Sequence, residues 1–204
     1  NAAPVKPQRV IYELNRRLTE PSVVIADAGT PTPYITRFLK LSGMGSRFII
    51  PRSYGGLGYS IPALVGARFA RPDARLVGLF GDGSLGMSAG ELETLARLNI
   101  PAVLIHFNNS GFGWIKALQA LHSKGKFYSV EFTAGEPAMV ARGFGLKAIH
   151  IETPDELVSG MDEAFSASGP VFLDITAEPL VTDLPPVYSW LKAFEKHKKP
   201  IVHA

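Results

Sequence analysis

The chain has 204 residues, 46% of them hydrophobic, with 21 basic and 18 acidic residues for a formal charge of +3, enough to bury the core of one large α/β domain. The basic surplus gathers in "KAFEKHKKP" at 192–200, which reads as a solvated helix face rather than a nucleic-acid or membrane surface. Having no cysteine excludes disulfides, thiolate metal sites and a thiol nucleophile, and without an apolar run near the roughly 18 residues of a membrane span a soluble, cytoplasmic protein is expected.

The opening "NAAPVKPQRVIYELNRRL" leads from small residues and prolines into an amphipathic helix predicted over 7–19. Such an entry is expected at an interdomain junction, and so favours a domain cut from a longer chain over a natural separate subunit. A first strand, "SVVIAD" at 22–27, precedes a loop with Gly29 and Thr30 and a helix over 32–41. The stretch 43–60, "GMGSRFIIPRSYGGLGYS", is Gly-rich and irregular, and loops of such length usually carry function. A helix over 61–70, a strand over 74–81, a helix over 88–98 and a strand over 101–107 follow. Helices over 113–122 and 135–143 lead to a strand over 146–151, a helix over 154–167 and a last strand over 170–176. The helix at 154 carries its own start signal, with Thr153 as N-cap, Pro154 at the first position and Glu156 completing a capping box. A tail over 185–204 is predicted to be helical from near Pro186, with Val187, Trp190, Leu191 and Phe194 on one face. That face is expected to swing out or to pack on a neighbouring molecule.

Strands apolar on both faces, alternating with helices, predict a doubly wound, mostly parallel sheet with helices on both faces, formed as a single domain over 1–204. Ligands of such sheets sit beyond the carboxyl ends of the strands. Two polar clusters occupy that position: Gly81-Asp82-Gly83-Ser84 after one strand, and Asn108-Asn109 about 26 residues after Asp82 at the end of another. If the strands are neighbours, Asp82 and Asn109 present hard oxygen ligands to one cleft, suited to Mg²⁺. Gly83 lets a phosphate approach the backbone, and Ser84 adds an N–H and a hydroxyl. Each cluster alone reads equally well as a turn. His106 and His150 read as core or edge residues, His122 as a helix-end residue, and Phe112 and Trp114 as packing residues more than cleft residues. A Rossmann-type nucleotide site would need G-x-G-x-x-G after the first strand, and "DAGTPTPY" does not supply it.

The pattern Gly81-Asp82-Gly83, Glu91-Leu92-Glu93-Thr94, Arg97 and Asn108-Asn109 resembles the diphosphate-binding domain of thiamine-diphosphate-dependent enzymes. "PVKPQRVIYELNRRL" and "GGLGYSIPALVGARFARPDARLVGLFGDG" are similar to the acetolactate synthase-like branch. The resemblance implies Mg²⁺ held by the side chains of Asp82 and Asn109 and by the Gly111 carbonyl. It also implies that the Gly55 carbonyl accepts a hydrogen bond from the 4′-amino group of the cofactor, and that Leu57 wedges the cofactor into a bent shape, which makes these two the catalytic positions. Gly29, Thr30, Gly81, Gly83, Ser84 and Phe112 complete the implied cofactor contacts. The loop Asp27-Ala28-Gly29-Thr30-Pro31 departs from the family's "DVGQHQ", so Thr30 offers a hydroxyl where Gln and His are usual.

The function so implied is decarboxylation and carboligation of 2-oxo acids. A domain or beta subunit of a 2-oxo acid decarboxylase or glyoxylate carboligase-type enzyme is the alternative, with a non-catalytic binding module behind it. An activating glutamate would come from an N-terminal pyrimidine-binding domain with no counterpart here, normally across a homodimer or tetramer, so the chain alone is expected to be inactive. Whether the enzyme also holds FAD in a central domain is left open.

Overall fold

In the computed structural model, residues 4–18, 21–42, 44–123 and 125–197 are described. They form one six-stranded sheet in which every strand pairing is parallel. The strands are β1 (Ser22–Ala26), β2 (Arg47–Ile49), β3 (Arg75–Gly81), β4 (Ala102–Asn108), β5 (Lys147–Ile151) and β6 (Val171–Thr176), in the order β2-β1-β3-β4-β6-β5. The helices are α1 (Pro7–Asn15), α2 (Pro31–Phe38), α3 (Ser60–Ala70), α4 (Asp82–Ser88), α5 (Glu91–Arg97), α6 (Gly113–His122), α7 (Pro137–Gly143), α8 (Pro154–Ser166) and α9 (Tyr188–His197).

Alternation along the strands divides the core into two layers. In β1, Val24 and Ala26 join one cluster while Val23 and Ile25 join the other. The first layer packs β-strand side chains against α1, α2 and α8, and the second against α3, α5 and α7. Burial of each large apolar side chain, such as Phe80, Phe107 or Phe172, contributes roughly 1.5–3 kcal/mol. These buried faces hold the strand ends in register, and the strand ends carry the site.

Three departures from the sequence reading have local causes. Residues 47–49 of the irregular stretch pair with β1 as an edge strand, with Val24 opposite Phe48; its two outward side chains are exposed, which hides the two-sided apolar signal. The helix expected over 88–98 begins earlier, at Asp82, and is divided into α4 and α5 at Ala89-Gly90. The tail does not swing out: Trp190 is buried and meets Trp114 of α6 with ring centroids 4.4 Å apart. Val187 also packs on the core, whereas Leu191 is exposed; the Phe194 side chain lies outside the described residues. The capping box forms as read, with Thr153 Oγ1 accepting from Glu156 N at 3.3 Å and the Glu156 carboxylate accepting from Thr153 N at 3.1 Å.

Candidate functional site

The chain leaves β1 for the edge strand β2 and returns to β3 on the other side of β1. That reversal opens a crevice beyond the carboxyl ends of β1 and β3, where open α/β sheets bind ligands. The crevice is lined by the loop after β1, the loop before α3, the start of α4 and the loop after β4. Every site residue named from the sequence lines this one cleft, except Asn109. Asn109 stands behind it and reaches Asp82 and Thr30 by hydrogen bonds.

Asp82 is the first residue of α4, directly after β3. Its Oδ2 accepts from the backbone N–H groups of Asn109 (3.0 Å) and Gly111 (3.2 Å). Both N–H groups point the same way because Ser110, between them, adopts φ +54°, a left-handed conformation costing a non-glycine residue about 1–3 kcal/mol. The loop is braced from behind: Phe112 N donates to Val130 O at 2.8 Å and Phe132 N to Ser110 O at 2.8 Å, around a bridge between Gly111 and Glu131.

The Asn109 amide tests whether a cation fits. Turned with its nitrogen inward, it donates to Asp82 Oδ2 at 3.1 Å and to the Gly111 carbonyl at 3.2 Å. Turned with its oxygen inward, its nitrogen donates to Thr30 Oγ1 at 3.4 Å, and three oxygens, from Asp82, Asn109 and Gly111, face one another. Two oxygens at right angles on Mg²⁺, each at about 2.1 Å, stand about 3.0 Å apart. The spacing therefore suits that ion, and the donor set is of the hard oxygen type it prefers. Beside it, Ser84 Oγ is buried without a hydrogen-bond partner, an orphan that a phosphate oxygen would satisfy.

Phe112 and Trp114 pack and also line the cleft. Phe112 meets Phe132 edge-on at 4.6 Å and lies against Gly83, where a Cβ would stand 2.3 Å from Phe112 Cε1.

The sequence reading missed a polar array beneath the site. His106, fully buried in β4, has Nδ1 2.9 Å from Asp174 Oδ1 and Nε2 3.3 Å from Asp82 Oδ1. Asp174, in β6, also accepts from Asn108 Nδ2 at 3.1 Å and faces His150 Nδ1 of β5 at 2.9 Å. Burial pulls the His106 pKa down, but the hydrogen bond to Asp174 and the charges of Asp174 and Asp82 outweigh it and hold the pKa above the ordinary imidazole value. Asp174 shows the reverse: burial raises its pKa, while His106, His150 and Asn108 bring it below the ordinary carboxylate value. The available signal was an aspartate at the centre of "VFLDIT", an otherwise apolar strand. Nor are the two asparagines equivalent, since Asn108 braces Asp174 and Asn109 joins Asp82 and Thr30.

The chain matches the family model described as the thiamine pyrophosphate enzyme C-terminal TPP binding domain over residues 27–175. The probable acetolactate synthase large subunit of Methanococcus aeolicus is 30% identical over 183 residues, covering 86% of this chain and 30% of that protein. The acetolactate synthase large subunit of Haemophilus influenzae is 32% identical over 183 residues, covering 85% of this chain and 30% of its own length. In fold, the chain is similar to the thiamine diphosphate-dependent 4-hydroxybenzoylformate decarboxylase of Rhodococcus jostii RHA1, with a TM-score of 0.79 and 24% identity over 87% of this chain and 33% of that one. The chain thus spans about 30% of the length of the curated relatives it matches. With two loops at neighbouring strand ends converging on one oxygen-lined corner, and with the family model spanning both, the chain belongs to the thiamine pyrophosphate enzymes, as their C-terminal TPP-binding domain.

Proposed function

We propose that this chain is the Mg²⁺ and thiamine diphosphate-binding part of an acetolactate synthase-like enzyme that decarboxylates a 2-oxo acid and joins the remainder to an acceptor. The observation that carries the reading is the convergence of Asp82, Asn109 and Gly111 on one corner of the cleft. In this reading the Asp82 carboxylate, the Asn109 amide oxygen and the Gly111 carbonyl hold the metal. Gly83 gives the diphosphate close access to the backbone, and Ser84 and Thr30 offer it hydroxyls. Gly55 accepts a hydrogen bond from the aminopyrimidine through its carbonyl, and Leu57 props the cofactor into its bent shape. Gly29, Gly81 and Phe112 shape the walls. When bound, thiamine diphosphate supplies a carbon nucleophile that adds to the 2-oxo group and takes up the electrons left as CO₂ departs.

The site needs a second wall. A pyrimidine-binding domain carrying a glutamate, supplied by a longer chain or a partner subunit in a homodimer or tetramer, completes it in this reading. That proton-transfer group is worth about 10²–10⁴-fold in rate, so the 204-residue chain by itself is expected to bind the cofactor without turning over pyruvate or glyoxylate. Calorimetry with thiamine diphosphate tests the binding: heat that requires Mg²⁺ and vanishes in Asp82→Ala is expected. Mg²⁺-independent binding, or binding unaffected by Asp82→Ala, would remove the metal from this site. Product analysis of the longer enzyme with a panel of 2-oxo acids tests the reaction, and aldehyde release without a ligated product would assign a decarboxylase instead.

A further inference from the structure

Asp27 follows the last residue of β1 and is completely buried, and among the described residues no ion pair to it is found. Most of the hydrogen bonding to its carboxylate comes from one short segment across the crevice, with the Ser84 side chain close by. Oδ1 accepts from Tyr59 N at 2.8 Å and from Ser60 N at 3.0 Å, and Oδ2 accepts from Ser60 Oγ at 3.0 Å. These are the N–H groups that open α3, so Asp27 caps that helix from a different element, a task for which the residues before α3 provide no side chain of their own. Its backbone is fixed in turn: Asp27 N donates to Leu79 O at 2.9 Å, and Asp27 O accepts from Thr32 Oγ1 at 3.1 Å. The carboxylate therefore has a rigid base on the sheet.

Directly before Tyr59 runs the loop with Gly55 and Leu57, which turns through positive φ at Gly55 (+63°) and Gly58 (+79°). A loop with two such turns has many conformations open to it. Its placement against the cleft depends on where its end is tied. A Cβ at Gly55 would lie 3.9 Å from Ala28 Cβ, so the loops 28–30 and 55–57 face each other across the crevice immediately beside the Asp27 anchor. The corner made by Asp82, Asn109 and Gly111 is held separately, by hydrogen bonds between the loops after β3 and β4 in which Asp27 takes no part.

We propose that Asp27 is a positioning residue for the thiamine half of the site: its carboxylate sets Gly55 and Leu57 against the aminopyrimidine and meets the metal and diphosphate half only through Ser84. The inference rests on the reading of the cleft given above and assigns a role to a residue outside that contact set. Burying a carboxylate costs free energy, and burial raises the Asp27 pKa against the opposing hydrogen bonds from Tyr59 and Ser60 and the opposing effect of the nearby Ser84 side chain. A neutral side chain would hold a helix start at lower cost; the charge adds strong, directional acceptors that fix the loop end in one place.

Two probes separate the halves. Inorganic pyrophosphate with Mg²⁺ reports the diphosphate half, and thiamine diphosphate with Mg²⁺ reports both. Calorimetry on the 204-residue chain is expected to show thiamine diphosphate binding weakened about tenfold in Asp27→Ala, or about 1.4 kcal/mol, with pyrophosphate binding weakened much less. Asp27→Asn keeps an oxygen facing Tyr59 N and Ser60 N, and is expected to recover most of the loss. Ser60→Ala, which removes only the Oδ2 contact, should show the same selectivity at smaller size and serves if Asp27→Ala does not fold. Leu57→Ala gives the reference pattern for loss of the thiamine half alone. Equal weakening of both probes in Asp27→Ala, or in Ser60→Ala where Asp27→Ala does not fold, or weakening of neither in these variants, would overturn the positioning role. Failure of the unaltered chain to bind either probe with Mg²⁺ would instead overturn the reading of the cleft, and this inference with it.

Discussion

His106 Nε2 lies 3.3 Å from Asp82 Oδ1 inside the sheet, with the ring anchored on its other side by Asp174 at 2.9 Å. An imidazole between two carboxylates is stabilised when both nitrogens carry protons, and the raised His106 pKa follows from those two neighbours. Phe80 and Phe172 flank the ring, with centroids 5.6 Å away in each case, and the ring is fully buried. The carboxylate proposed to hold the metal is thus supported from beneath by charge as well as by the loop from above.

The array makes the stability of the metal-free protein depend on pH. His106 and His150 have raised folded-state pKa values, so their stabilisation is complete below the ordinary imidazole value of about 6.5 and is lost as pH rises through the folded values. Asp174 has a lowered one; its contribution is complete above the ordinary carboxylate value of about 3.9 and is lost as pH falls through the folded value. Chemical denaturation without metal is expected to show stability falling as pH rises above the ordinary imidazole value of about 6.5. A profile that rises there would contradict the protonated arrangement.

Replacing His106 by Leu removes the shared partner of Asp82 and Asp174. Breaking a buried charge pair by deleting one member typically costs about 3–5 kcal/mol. A loss of that order in denaturant unfolding is expected, together with flattening of the alkaline slope. A change below about 1 kcal/mol would show that Asp174 is satisfied by Asn108 and His150 alone.

Gly83→Ala places a methyl group 2.3 Å from Phe112 Cε1. The ring must move, at an overpacking cost of about 1–3 kcal/mol, and it moves in the wall of the cleft. Weaker binding of Mg²⁺ with pyrophosphate is expected in calorimetry, with recovery when Phe112→Leu is added. Absence of recovery would place the effect in the backbone at Gly83 rather than in the ring.

Trp190→Ala removes the residue that docks α9 on α6. The chain retains its sheet, but amide exchange in α9 is expected to rise to that of an unpacked helix, with a shift in Trp114 fluorescence. Unchanged protection would mean that Val187 holds the tail without the tryptophan pair.

Asn109→Asp tests the oxygen corner directly. A second carboxylate keeps the ligand oxygen and loses the amide nitrogen that donates to Thr30 Oγ1. Metal-free stability is expected to fall, because two carboxylates then face each other near the Gly111 carbonyl, and added Mg²⁺ should restore it more than in the unaltered chain. Thermal melts with and without Mg²⁺ read both effects; insensitivity to the ion would count against a metal here.

The parallel α/β class, the capping box at Thr153 and the presence of two polar loops at strand ends are legible along the chain. Each of these is local: two-sided apolar runs, turn chemistry and helix caps act within a few residues of one another. The tertiary structure decided what depends on strand order. Placing β3 beside β4 brings Asp82 to the N–H groups of Asn109 and Gly111, and placing β6 next to β4 brings Asp174 under His106. The same holds for Asp27, which looks like a loop residue in sequence and becomes the cap of α3 only because β1 ends beside that helix start. A buried carboxylate finds its partners across the sheet, 32 or more positions away for Asp27 and 24 to 68 for Asp174, and no periodicity along the chain carries that information.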